Sequence, residues 1–76
     1  MDKLSIGDKV VVGKVTMASL NLYQATKKMG MPYIKCPCNV KATDACTIEN
    51  TFKNGYLLRS SLNFLTVAHG NDLRKI

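Results

Sequence analysis

Tryptophan is absent from this chain, histidine occurs once and cysteine three times. Without tryptophan, the large packing residues are Phe52, Phe64, Tyr23, Tyr33 and Tyr56. Three cysteines are an odd number and too few for a disulfide framework, so a reducing, cytoplasmic setting is expected. No run approaches the roughly 18 apolar residues of a membrane span. The opening Met1–Asp8 has neither the apolar stretch nor the small-residue cleavage site of a secretory signal. No glycine-rich phosphate loop precedes a helix, and no dinucleotide fingerprint occurs. Asp2, Asp8, Asp44, Glu49 and Asp72 are scattered, without the paired spacing of an acid–base site. At 76 residues there is little room for a deep pocket. A non-enzymatic binding protein with no cofactor and no membrane association is the expectation.

Acid is missing from one half in particular. Between Lys9 and Ala42 there are six lysines (Lys9, Lys14, Lys27, Lys28, Lys35, Lys41) and no aspartate or glutamate. The formal net charge of +6 is carried by that stretch, because the segments on either side nearly balance. If these lysines share a face, their field favours a polyanion or an acidic protein surface. If they do not, they form a solvated, soluble exterior.

What is present is enough for one domain, 1–76, with a single core, since 46% of the residues are hydrophobic. The β-branched run Lys9–Met17 reads as a strand with Gly13 as a bulge or bend. Ile6-Gly7-Asp8 reads as the turn leading into it. Ser19–Met29 reads as a helix with Ser19 as N-cap and Gly30 as its left-handed terminator. Ala18, Leu22, Ala25 and Met29 fall on one face, expected to meet the core. Gln24, Lys27 and Lys28 lie opposite, and Leu20 and Tyr23 project with them. Pro32–Cys36 reads as a short strand and Cys36–Asn39 as a turn. Asn54-Gly55 predicts a hairpin with both turn residues at positive φ, joining strands of about 46–53 and 56–67. Ser60-Ser61 is a candidate interruption of the second strand, and a helical turn over 44–50 stays open. Residues 71–76 read as a frayed basic tail. The sum is an α+β fold: a small antiparallel sheet or open SH3-like barrel of four to five strands, with one amphipathic helix after the first strand.

The run Ile6-Gly-Asp-Lys-Val-Val-Val12, followed by Gly13-Lys14-Val15, resembles the opening strand of small SH3-like barrels, including the KOW and Tudor types. The resemblance covers about a tenth of the chain and implies a fold without a ligand, since no Tudor-type aromatic cage is identifiable. Leu22–Lys35 is similar to the first helix and turn of a helix-turn-helix. Pro37 would break the second helix within about five residues, too short to read a groove.

Cys36, Cys38, Cys46 and His69 are the one set able to make a Cys₃His zinc site. The Cys36-Pro-Cys38 spacing is tighter than the usual chelating pairs and the other two ligands stand alone, so ordinary thiols and a redox-sensitive pair are the competing readings. His69 with Asp72 and Cys36 or Cys46 is the only nucleophile–base combination available.

The expectation is a nucleic-acid- or transcription-associated protein whose contact surface is Lys14, Leu20, Tyr23, Gln24, Lys27, Lys28, Lys35 and Lys41. With arginine scarce, contact to phosphates is favoured over base reading. One alternative is a regulator or inhibitor, of the kind made by phages and mobile elements, that docks on a larger acidic protein through Leu20 and Tyr23 within a basic rim. Another is an oligomer that binds a small anionic ligand in a shared basic pocket.

Overall fold

The computed structural model describes residues 4–76, so Asp2 and Lys3 of the acidic start lie outside it. The β-branched run after Asp8 forms β1 (Lys9–Val12), with Val10 and Val12 buried and Lys9 exposed. It stops at Gly13 instead of continuing to Met17. There the Gly13 amide donates to the Asp72 carbonyl at 2.9 Å, and the chain leaves the sheet. Helix α1 (Met17–Lys28) starts two residues before Ser19, with Thr16 as its N-cap. It ends as expected: Gly30 takes φ +110° just beyond Lys27 and Lys28, whose charges suit the helix C-terminus.

After α1, Pro32–Cys36 makes no strand. Lys35 alone forms a parallel bridge to Thr66: its amide donates to the Leu65 carbonyl, and the Thr66 hydroxyl donates to the Lys35 carbonyl, both at 2.8 Å. A short 3-10 turn (Pro37–Asn39) takes the place of a second helix, so no helix-turn-helix forms. The chain continues through β2 (Cys46–Phe52), β3 (Gly55–Ser60), β4 (Leu65–Ala68), a second 3-10 turn (Gly70–Asp72) and β5 (Leu73–Lys75).

The hairpin signal places the β2–β3 turn within one residue. The loop is Lys53-Asn54, and Gly55 already pairs with Phe52. Neither Asn54 nor Gly55 lies at positive φ. Gly55 is needed for space instead: a Cβ there would sit 2.5 Å from both the Ala68 carbonyl oxygen and Leu22 Cδ2. The interruption at Ser60-Ser61 is a complete turn that separates β3 from β4. In it Asn63 takes φ 71°, and the Ser60 hydroxyl accepts from the Leu62 and Phe64 amides.

The five strands pair antiparallel, in the order β4-β3-β2-β1-β5. This is the connectivity of an SH3-like meander, with the last strand returning beside the first and the sheet left open between β4 and β5. The segment read as a frayed tail is therefore ordered. Asp72 is buried, Leu73–Lys75 pair with Val10–Val12, and the Ile76 amide donates to the Lys9 carbonyl. Pairing with β1 supplies the order that its basic composition hides.

The core joins Val10, Val12, Cys46, Ile48, Leu58 and Ala68 from four strands with Val40 from the connection before β2. α1 packs chiefly on β4. Val67 points away from its buried neighbours Thr66 and Ala68 yet is itself fully buried, so β4 is covered on both faces.

Candidate binding surface

Which face α1 presents decides the surface. The stripe expected to meet the core, Ala18, Leu22, Ala25 and Met29, is mostly in solvent, and Met29 is 84% exposed. Only Leu22 is half-buried. The inward residues are Ser19 and Thr26, at 0% and 5% exposure. Both hydroxyls are satisfied, which removes the cost of burying them. Thr26 donates to the Leu22 carbonyl at 2.7 Å. Ser19 donates to Asp72 Oδ2 and accepts from the His69 amide at 2.8 Å. The same Oδ2 accepts from the Thr16 amide at 2.9 Å and the Thr16 hydroxyl at 2.8 Å. No acid lies in the first turn of α1, and Asp72 supplies the missing negative charge from the far end of the chain. These bonds fix the rotation of the helix.

Burial by itself pushes the Asp72 carboxyl up. The bonds from Ser19 and Thr16 and the positive Lys14 outweigh that and hold it below its ordinary value. Asp72 Oδ1 is buried without a partner.

With Ser19 and Thr26 inward, Gln24 and Lys28 face out, and Leu20 and Tyr23 are half-buried on one flank. The Lys27 ammonium lies 5.2 Å from the Tyr23 ring centre. A second such pair forms where Lys35 sits 4.8 Å from the Phe64 ring centre. Phe64 was not among the expected contact residues; its partner 29 positions away in the chain left no local signal. Lys41 is exposed beyond the first 3-10 turn. Lys14 stands apart, beside Arg74 at the other end of α1, a separation of about 18 Å for a helix of this length. The structure thus joins Tyr23, Gln24, Lys27 and Lys28 on one helix end and leaves Lys14 outside that group.

Three of the acids are engaged internally, and Asp44 makes no ion pair among the described residues. Asp72 caps α1, Asp8 pairs with Lys75 at 3.6 Å and accepts the Ser5 amide, and Glu49 pairs with Arg59. Among the described residues, Lys14, Lys27, Lys28, Lys35, Lys41 and Lys53 have no carboxylate partner.

The opposite flank of α1 faces the tip of the β2–β3 hairpin across a groove of about 340 Å³, lined by Leu22, Ala25, Met29, Met31, Phe52 and Lys53. Sequence reasoning missed it because it assigned that apolar stripe to the core.

The expected zinc ligands are not brought together. Cys36 and Cys38 are paired as a disulfide, Cα atoms 5.2 Å apart, while Cys46 is a free thiol in the core. Burial, then the charge of Asp44, raises the Cys46 thiol. Among the described residues no three metal-binding side chains converge. Nor does His69 orient a nucleophile: its Nδ1 accepts the Asn71 amide at 3.2 Å, while Asp72 engages Ser19 directly. No helix of the described residues is long and apolar enough to cross a membrane.

A scan against protein-family models and searches of curated proteins and of solved structures return no match.

Proposed function

We propose that this domain binds nucleic acid through the phosphate backbone, without reading base sequence. One observation carries the reading: among the described residues Asp8, Glu49 and Asp72 are committed to internal contacts, while Lys14, Lys27, Lys28, Lys35 and Lys41 of the acid-free half are exposed and lack a carboxylate partner. Lys27, Lys28, Lys35 and Lys41 would neutralise phosphates, with Gln24 as a neutral donor. Tyr23, half-exposed beside Lys27, would contact a base of a single strand, while Phe64 packs against the core and would position the Lys35 ammonium. Arg59 is occupied by Glu49, which leaves Arg74 as the guanidinium without a carboxylate partner and makes bidentate reading of guanine a minor element. A cytoplasmic setting belongs to the same proposal, with the Cys36–Cys38 pair held reduced there.

The test is fluorescence anisotropy with mixed-sequence single- and double-stranded probes over a salt series. Four phosphate contacts correspond to a slope of log K against log salt of about −3.6 on duplex and about −2.8 on single strands. Lys27→Glu with Lys28→Glu should weaken binding at least about tenfold at low salt. An absence of binding at low salt, or a double variant that binds as well as the parent, would overturn the reading.

A further inference from the structure

We propose that the groove between α1 and the β2–β3 hairpin tip receives a short segment of another protein, one that offers one or two large apolar side chains flanked by acids. This goes beyond nucleic-acid binding and uses the adjoining face of the helix, the two surfaces sharing only Lys28 at their common edge. The apolar character is built in: Leu22, Ala25 and Met29 recur at helical spacing and face Met31 and Phe52 across the gap. A volume of about 340 Å³ is at the lower end of ligand-pocket size, suited to side-chain anchors more than to a whole small molecule. Two of its walls are methionines, whose unbranched thioethers adapt to varied apolar shapes.

Charge selects the occupant. Lys53 lines the groove and no carboxylate does. Lys28 lies about 60° around the helix from Ala25, on the outer lip of the same flank. A second copy of this chain fits poorly. A two-fold contact through the groove would bring the rim lysines of one copy, Lys53 and Lys28, towards those of the other, between molecules that each carry +6. An acidic segment meets the same lysines as opposite charges, which favours encounter and selects against basic competitors.

The experiment is a titration of the isotope-labelled full chain with synthetic peptides of about a dozen residues, followed by amide shifts. Each peptide carries leucine and phenylalanine four positions apart in a glutamate-rich background. One matched control replaces the acids by lysine and another replaces the apolar pair by alanine. Shifts confined to residues 22–31 and 52–54, seen with the acidic apolar peptides and lost with both controls, are the expected result. Ala25→Gln and Met29→Gln keep the charge and place helix-forming polar residues at exposed sites. Each should weaken the peptide about tenfold while leaving the melting temperature and nucleic-acid affinity unchanged. Lys53→Glu should abolish peptide binding. No shift with peptide at about 1 mM, equal binding of the lysine control, or shifts of the same amides on raising the protein concentration alone would each overturn the proposal. Nucleic-acid affinity lost together with peptide binding in Ala25→Gln would mean that the two surfaces are one.

Discussion

Asp72 joins the end of β1, the start of α1 and the second 3-10 turn through one carboxylate oxygen and its own carbonyl. Removing the charge should cost on the order of 1–3 kcal/mol, since the bonds to Oδ2 lose their charge assistance and a buried amide NH2 takes the place of the unpartnered Oδ1. Urea unfolding of Asp72→Asn measures it. A carboxyl held low in the folded state stabilises fully above its unfolded pKa and loses that contribution as pH falls through the folded value. The stability difference between parent and variant should therefore be constant above about pH 5 and shrink at lower pH. At Gly55 the constraint is steric. Leu22 is flexible and can move, but the Ala68 carbonyl belongs to the adjoining backbone, so Gly55→Ala should destabilise by about 1–3 kcal/mol. The two classes of cysteine also separate by reactivity. Under reduction, Cys36 and Cys38 should take up an alkylating reagent in the folded protein. Cys46, buried and with its thiol raised, should be labelled only on denaturation, which mass spectrometry would count.

At the scale of elements, β5 is three residues long, yet it covers the outer side of β1. Replacing Leu73 by proline removes the amide that donates to the Gly70 carbonyl at the end of the second 3-10 turn, together with a half-buried side chain paired with Val12, and should destabilise by about 1–3 kcal/mol. The loss should show in α1 as well as in the sheet, read by far-ultraviolet circular dichroism. The β2–β3 hairpin and β1 were legible in the sequence because burial on one face leaves a period of two. Cys46 and Ile48 alternate, then a bulge between Ile48 and Asn50 resets the register and turns Glu49 outward to Arg59. The rotation of α1 was not legible. Periodicity favours burying Leu22 and Met29, whereas the helix buries two hydroxyls, one of them matched to partners some fifty residues away. Of the candidate surface, the lysines could be read from composition. Their grouping could not, because Lys35 meets Phe64 only after the chain has crossed to β4.

Over the whole molecule, charge and size bound what can be held. The longest dimension is 30 Å, so a duplex lying along it is covered for about nine base pairs at 3.4 Å each. A site size much larger than this, by titration against probes of increasing length, would require more than one copy on the same strand. The long-range cap on α1 has a further consequence for how the molecule opens. The helix that carries both proposed surfaces borrows its N-terminal anion from residue 72, one step before β5 begins. Fraying of the edge strand and loosening of the helix then belong to a single opening event. Native-state hydrogen exchange should show the amides of α1 and β5 sharing one opening free energy and one denaturant dependence, with the β2–β3 hairpin outlasting both. Anything that clamps the helix from outside should slow exchange at the distant β5 amides to the same degree.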